Sequence, residues 1–205
     1  SKQDLIVSRI MLLFGTALLA LRAGALFYAA RIPVESQAPA PQPEPTLEVV
    51  THPSFSLPDL EGTARDFGEW DGSHRLLNFW ATWCAPCRRE IPLLKSFQDQ
   101  HGEAGFQVLG IAVDFPEQVT KYAAEAEFNY PVLIGQQEAM AVAESSGIEF
   151  IGMPFTMFVT RGGEYVGAYI GELHQSHLDD VVNILTRLDN GEISTDEARG
   201  AFELL

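Results

Sequence analysis

The most constraining feature of the 205-residue chain is a pair of cysteines, Cys84 and Cys87, with only two residues between them. They are the only cysteines in the sequence. A disulfide closed over so short a loop cannot staple a domain together, so the pair indicates redox or metal chemistry. The mostly apolar run Arg75–Trp80 precedes it, and a helical pattern begins near Cys84. We therefore predict that the pair lies where a buried strand passes into a helix.

The predicted position of Cys84 at a helix N-terminus determines its chemistry. Unpaired backbone N–H groups and the helix dipole favour a thiolate over a thiol at that place. An exposed Cys84 sulfur with a pKa below the ordinary ~8.5 is both a competent nucleophile and a good leaving group. Cys87, one turn further in, is expected to be shielded and to resolve a mixed disulfide. Pro86 stiffens the loop between the two sulfurs.

The chain from His52 onward predicts one α/β domain of ordinary size with a single core. After a short strand and turn at 59–62, strands are expected at 75–80, 107–113, 131–134, 156–160 and 165–170. Helices are expected from Cys84, from Pro116, at 139–145 and at 174–188. Ser194 and Glu197 form a predicted capping box that opens one more short helix.

The chain carries a formal net charge of −15. Phosphate binding needs clustered Lys and Arg, so this charge argues against nucleic acid as a partner. An acidic face could attract a basic protein, whereas the simpler interpretation is that the acidity keeps the domain soluble.

The segment Ile10–Ala30 is almost wholly apolar and long enough to cross about 30 Å of hydrocarbon as a helix. Lys2 and Arg9 precede it, so the positive-inside rule places the N-terminus in the cytoplasm and the domain outside. Arg22 lies within the segment, which requires either that its side chain snorkels or that the span is shifted to Leu5–Leu21.

The alternative to a retained anchor is a cleaved signal peptide, for which the small residues Ala23–Ala25 have the required spacing. Both interpretations export the domain. Alternating prolines within Pro33–Thr46 predict an extended spacer. We thus expect an anchor or signal peptide at 1–31, a Pro-rich linker at 32–51, the folded domain at 52–190, and a short C-terminal helix or tail at 191–205.

The segment Leu77–Cys87, LNFWATWCAPC, resembles the active-site segment of the thioredoxin superfamily, and more narrowly that of the membrane-anchored TlpA/ResA-like reductases. Pro53–Gly62, Arg88–Pro92 and Gly152–Thr156 match the same family in order and spacing. The resemblance implies a thioredoxin-like α/β fold, in which helices flank a central mixed sheet. It also implies a thiol:disulfide oxidoreductase on the periplasmic or outer face of the cytoplasmic membrane, anchored by a single span.

The resemblance also implies roles for residues outside the cysteine pair. In the family, the proline that matches Pro154 is cis and faces the disulfide, and the preceding residue, here Met153, pairs with substrate backbone. The alternative is an ordinary trans proline in a turn. Trp83 and Pro86, beside the reactive sulfur, are expected on the surface that docks the substrate.

Asn78 occupies the position at which cytoplasmic thioredoxin has a buried, proton-accepting aspartate, and an amide cannot take a proton. Glu90 matches an acidic residue of the subfamily that lies beneath the active site. It is the candidate to shuttle the Cys87 proton, since a partly buried carboxyl has a raised pKa. The alternative is a solvated surface glutamate.

The resemblance suggests that the chain reduces disulfides in exported proteins, with apocytochrome c or a copper-site assembly factor of cytochrome oxidase as substrate and a membrane thiol transporter as electron donor. A disulfide oxidant or isomerase is the nearest alternative. Strong oxidants of this superfamily usually carry His between the cysteines, and here Ala85 and Pro86 stand there.

Other chemistries are less well matched by the sequence. Copper-binding assembly modules on this fold resemble Cys-x-x-x-Cys with a distant His, and the spacing here is shorter. A peroxidase would need Thr-x-x-Cys, which is absent around Thr82. His174 and His177 could share a helix face and join the cysteines around zinc, although they belong to a distant predicted helix. No cofactor or metal is expected.

Overall fold

The structure is a computed structural model, and it describes residues 55–144 and 150–205. The predicted anchor or signal peptide at 1–31 and the predicted linker at 32–51 lie outside the described residues. Among the helices within the described ranges, none is both long and apolar enough to cross a bilayer.

The described residues form seven strands and five α-helices. The strands are β1 (Ser56–Pro58), β2 (Ala64–Asp66), β3 (His74–Trp80), β4 (Phe106–Val113), β5 (Val132–Gly135), β6 (Phe155–Val159) and β7 (Tyr165–Ile170). The helices are α1 (Ala85–His101), α2 (Pro116–Ala126), α3 (Gln137–Glu144), α4 (Gln175–Asp189) and α5 (Thr195–Phe202). The α/β prediction is confirmed, and the strands and helices expected from residue 75 onward lie within two residues of the observed bounds. The short strand expected at 59–62 is wrong in position, because the strand is Ser56–Pro58 and residues 59–62 form the turn, and β2 was not predicted.

Five strands form a mixed sheet in the order β5-β4-β3-β6-β7, and β1 pairs with β2 in a separate hairpin. The strands β3, β4 and β5 are parallel, while β6 is antiparallel to both of its neighbours, β3 and β7. The carboxyl ends of β3 and β4 therefore meet the amino end of β6 at one edge of the sheet. This edge carries the cysteine loop and Pro154.

Alternating side chains of the central strands point to two hydrophobic clusters, one on each face of the sheet. Leu76 and Trp80 belong to one cluster, together with apolar residues of α1, α4 and α5. Leu77 and Phe79 belong to the other, together with residues of α3 and β1. Because β3 is covered on both faces, every one of its residues is buried.

The C-terminal helix α5 packs against the sheet rather than trailing from it. Phe202 stacks on Phe158 of β6 with ring centroids 4.8 Å apart. A side-chain carbon added at Gly167 of β7 would overlap Phe202, so this approach requires a glycine. The predicted capping box of Ser194 and Glu197 is confirmed at the start of α5.

Candidate active site

Cys84 and Cys87 form a disulfide at the junction between β3 and α1, with their Cα atoms 5.3 Å apart. Cys84 is the N-cap residue of α1, and its Sγ accepts a hydrogen bond from the backbone N–H of Cys87 at 3.3 Å. Pro86 stands in the first turn, where its missing N–H leaves no helical bond unmade. The predicted strand-to-helix position of the pair is confirmed.

The two sulfur-bearing residues differ in accessibility. Cys84 is 5% exposed and Cys87 is 0% exposed. The expectation of an exposed Cys84 is therefore wrong, because both cysteines pack into the core cluster on the α1 face of the sheet. The predicted shielding of Cys87 is confirmed, and Cys84 remains the more accessible member of the pair.

The residues expected to meet a substrate lie around this disulfide. Trp83 is 70% exposed, and Pro86 is half-buried. The Met153–Pro154 peptide bond is cis. Phe155, which follows Pro154, pairs with Phe79 of β3, so the Pro154 loop lies at the end of β3 that leads to Cys84. Met153 packs against the cluster that contains both cysteines.

Glu90 points into the core, and it is 1% exposed. Its Oε1 accepts a hydrogen bond from Nδ2 of Asn78 at 2.7 Å, and its Oε2 accepts one from the backbone N–H of Leu173 at 2.8 Å. Burial raises the pKa of Glu90 to about 7, and these two hydrogen bonds offset only part of that effect. The alternative of a solvated surface glutamate is wrong.

The amide of Asn78 in β3 hydrogen-bonds to the Glu90 carboxyl and also to the neighbouring strand β6. Its Nδ2 also donates to Oγ1 of Thr156 at 3.0 Å, which joins β3 to β6. Tyr130 belongs to the same buried cluster as both cysteines, and burial together with the charge of Glu90 raises the pKa of its hydroxyl. The side chains of Asn78, Thr156 and Tyr130 near Glu90 are thus uncharged. Glu90 is also the carboxyl nearest in sequence to Cys87.

Asp114 is a residue of the site that the sequence argument did not identify. It follows β4 directly and is buried. Its Oδ2 accepts hydrogen bonds from the N–H of Thr82 at 2.9 Å and from Oγ1 of Thr82 at 2.5 Å, and its Oδ1 accepts from the N–H of Phe115. This carboxylate fixes the backbone that leads into Cys84. The sequence does contain a signal for this residue, because Asp114 follows directly after a predicted buried strand.

His174 and His177 lie at the start of α4, where the Nδ1 of His177 accepts a hydrogen bond from the backbone N–H of His174. Tyr169 packs on the ring of His177 with centroids 4.4 Å apart. Within 55–144 and 150–205, no group of three or more His, Cys, Asp or Glu side chains is arranged to hold a metal ion.

A family model described as the AhpC/TSA family matches residues 50–164. Among curated relatives, the thiol-disulfide oxidoreductase ResA of Geobacillus kaustophilus is 29% identical over 136 residues, which cover 64% of this chain and 76% of the relative. The ResA of Halalkalibacterium halodurans is 26% identical over 133 residues, which cover 64% and 73%.

Solved structures agree with the observed fold. A thiol:disulfide interchange protein of the thioredoxin family from Chlorobium tepidum is 28% identical, has a TM-score of 0.61, and is matched over 67% of this chain and 97% of its own. A secreted thiol-disulfide isomerase from Corynebacterium glutamicum, 24% identical with a TM-score of 0.59 over 67% and 84% of the two chains, shares the fold.

The family model covers more than half of the 205 residues, and it includes both cysteines and Pro154. The structure adds the mixed sheet and the disulfide at the start of α1. The resemblance found in the sequence is confirmed: the chain belongs to the AhpC/TSA family and is a thioredoxin-like thiol:disulfide oxidoreductase.

Proposed function

We propose that this chain reduces disulfides in exported proteins, with Cys84 as the nucleophile and Cys87 as the resolving thiol. The observation that carries the proposal is the hydrogen bond from the N–H of Cys87 to Sγ of Cys84 in the first turn of α1. A thiolate at this place receives the same N–H group and the positive end of the helix dipole. The more accessible sulfur is thus also the one whose anion is stabilised.

In the first step, the Cys84 thiolate attacks one sulfur of the substrate disulfide. The substrate S–S bond breaks, a disulfide between Cys84 and the substrate forms, and the other substrate sulfur leaves as a thiolate. Trp83, Pro86 and Met153 form the surface that docks the substrate, and the backbone of Met153 pairs with that of the substrate beside Pro154. The exposed indole of Trp83 supports this assignment.

In the second step, Cys87 attacks Sγ of Cys84 and releases the second substrate sulfur. The Cys87 thiol must first lose its proton, and the Glu90 carboxylate accepts it. A pKa of about 7 supports this role, because such a group is present in both protonation states near neutral pH. Two electrons pass from the cysteine pair to the substrate, and the pair ends as the Cys84–Cys87 disulfide.

We place this activity outside the cytoplasm and assign it partners. The apolar segment Ile10–Ala30 anchors the chain in the cytoplasmic membrane, and the domain works on the outer face or in the periplasm. A membrane thiol transporter returns the electrons, and the substrates are apocytochrome c or assembly proteins of a copper site. The family resemblance supports these partners, and a reporter fused after Leu205 tests the compartment, since its activity inside the cytoplasm would contradict the export of the domain.

The redox potential of the Cys84–Cys87 pair tests the direction of electron flow. Equilibration of the full chain against glutathione buffers should give a potential on the reducing side of the ~−180 mV of protein disulfide isomerase, because no His between the cysteines stabilises the thiolate further. A value near the ~−120 mV of a strong oxidant would replace the reductase by the alternative, a disulfide oxidant.

A further inference from the structure

Three consecutive residues between β7 and α4 bind three different parts of the redox site. We name this stretch, Gly171–Leu173, the bridging segment. The backbone N–H of Gly171 donates a hydrogen bond to the carbonyl of Pro154 at 2.9 Å. The backbone N–H of Leu173 donates to Oε2 of Glu90 at 2.8 Å. The bridging segment therefore joins the cis-proline loop to the carboxyl beneath the disulfide.

The middle residue of the bridging segment, Glu172, pairs with Arg89 of α1. Nε of Arg89 lies 3.1 Å from both carboxylate oxygens of Glu172, and its Nη2 lies 2.5 Å from Oε2. Neighbouring residues of α1 thus bind neighbouring residues of the segment, Arg89 to Glu172 and Glu90 to Leu173. A two-pronged arginine–carboxylate contact fixes orientation as well as distance.

The ion pair is partly exposed, with Arg89 at 61% and Glu172 at 24% of full side-chain exposure. Exposed ion pairs add little to global stability, and those with two-pronged arginine geometry are the exception that can hold a local arrangement. The side chain of Leu173 is buried in the core, which limits how far the backbone of the bridging segment can move. The contact between Arg89 and Glu172 is therefore placed to act on local geometry rather than on folding.

We propose that the bridging segment is a positioning element of the redox site, and that the contact between Arg89 and Glu172 holds it so that Leu173 keeps its hydrogen bond to Glu90. Arg89 and Glu172 are positioning residues and touch no reacting atom. The proposal rests on the proposed role of Glu90 in accepting the Cys87 proton. It follows that the pH dependence of the rate at which the mixed disulfide resolves is set in part by the partly exposed ion pair of Arg89 and Glu172.

The charges around Glu90 give the direction of the effect. Asn78 of β3, Thr156 of β6 and Tyr130 lie in this part of the core and are uncharged. Burial is the main cause of the raised pKa of Glu90, and the charge of Glu172 adds a smaller increase. Arg89 compensates the Glu172 charge, and its hydrogen bonds hold the pKa of Glu172 below its ordinary value. Loss of Arg89 removes that compensation and weakens the hold on the orientation of the segment that donates to Glu90. Both changes favour protonated Glu90.

The test compares Arg89→Gln with Arg88→Gln in the full chain. Arg88 is the adjacent arginine of α1, it lies over the ring of Tyr122 at 5.1 Å, and its removal changes the net charge equally. In the oxidised protein neither cysteine titrates, so the carbon-13 signal of the Glu90 carboxyl reports its midpoint alone. We expect Arg89→Gln to raise this midpoint by about half a pH unit, roughly a threefold gain in proton affinity. Arg88→Gln should leave the Glu90 midpoint unchanged, and the midpoint in Arg89→Lys should lie between those of wild type and Arg89→Gln.

The kinetic arm measures resolution of the mixed disulfide by stopped flow across a pH series in the same variants and in Glu90→Gln. The proposal expects the rising limb of the rate to follow the Glu90 midpoint upward in Arg89→Gln. If either the Glu90 midpoint or the rising limb of the rate stays unchanged in Arg89→Gln, the positioning role of Arg89 and Glu172 is overturned. Loss of the rising limb in Glu90→Gln would in that case still support proton transfer to Glu90. If Glu90→Gln itself matches wild type, the proposed role of Glu90 falls and the positioning role falls with it.

Discussion

Nδ2 of Asn78 lies 2.7 Å from Oε1 of Glu90, and neither side chain reaches solvent. The strand position that carries a proton-accepting aspartate in cytoplasmic thioredoxin holds an amide here, and the amide donates to a carboxyl that comes from α1. In this chain the carboxyl of the buried pair therefore comes from the helix that bears Cys87 and not from the sheet. Because that helix also positions both sulfurs, the carboxyl and the resolving thiol share one rigid element.

The first prediction concerns the effect of this buried carboxyl on stability. Burial raises the pKa of Glu90 from an ordinary 4.5 to about 7, so the folded chain holds a proton that the unfolded chain releases between these values. The free energy of unfolding should therefore fall as the pH rises from about 5 to about 8, by about 3 kcal/mol from this group.

Urea unfolding of the oxidised protein at several pH values measures this effect. The free energy of unfolding of Glu90→Gln, relative to that of wild type, should increase as the pH rises, because glutamine carries no charge at any pH. A constant difference between the two proteins from pH 5 to pH 8 would show that Glu90 titrates normally.

The second prediction assigns the two cysteines. In Cys87→Ser, Cys84 still attacks a substrate disulfide, and the resulting mixed disulfide has no thiol to resolve it. A covalent adduct should therefore accumulate on Cys84 and be seen by mass spectrometry after reaction with oxidised insulin. Cys84→Ser should form little adduct and have no insulin reductase activity. Trapping through Cys87 instead would reverse the assignment.

Much of this arrangement could be predicted from the sequence because the signals are local. The strand before Cys84, the helix after it and the capping box at Ser194 each depend on residues within one or two turns of each other. The burial of Glu90 could not be decided in this way. It follows Arg88 and Arg89, and the three together look like one solvated run of charges, although only Glu90 shares a helix face with the buried Cys87.

The contacts that were not predicted join loops far apart in the sequence. Asp114 binds Thr82 across a separation of 32 positions, and Arg89 binds Glu172 across 83. A single sequence does not specify such pairs, because a charged residue in a loop has many possible partners until the order of the strands is known. Once β3 and β4 are known to be parallel neighbours, the proximity of Asp114 to the cysteine loop follows.

The third prediction therefore concerns Asp114. The substitution Asp114→Asn keeps the size of the side chain but replaces one accepting oxygen with a donor, which must face an N–H or O–H group of Thr82 or Phe115. An unsatisfied pair in this buried place should cost about 1–3 kcal/mol of stability and loosen the backbone before Cys84.

Insulin reduction and thermal unfolding of Asp114→Asn measure the two effects, with Thr82→Val as the comparison. That variant loses the Oγ1 contact alone and keeps the backbone N–H of residue 82 bonded to Asp114. We expect the reductase rate to fall more in Asp114→Asn than in Thr82→Val. Equal rates in both variants and wild type would mean that the carboxylate does not position the cysteine loop.

The fourth prediction concerns the packing of α5. Phe202 is buried and stacks on Phe158, so Phe202→Ala should lower the free energy of unfolding by about 3 kcal/mol or more. Phe202→Leu should cost less, because it leaves a smaller cavity. Chemical denaturation measures both, and a loss within experimental error in Phe202→Ala would mean that α5 is not part of the cooperative fold.

The last prediction concerns Trp83, which is 70% exposed beside a disulfide whose sulfurs are nearly covered. A large apolar surface left in water at a reactive centre is typical of a docking contact, since exposed aromatic rings add binding area when a partner covers them. Trp83→Ala should therefore lower kcat/KM for a protein disulfide by about tenfold, equivalent to ~1.4 kcal/mol of transition-state stabilisation. The rate with a small disulfide such as bis(2-hydroxyethyl) disulfide should change little, because that molecule has no protein surface with which to cover the indole. Leu204→Ala, which removes another exposed apolar side chain beyond α5, serves as the control and should leave both rates unchanged. An equal loss with both substrates in Trp83→Ala would instead indicate that the indole shapes the cysteine loop itself.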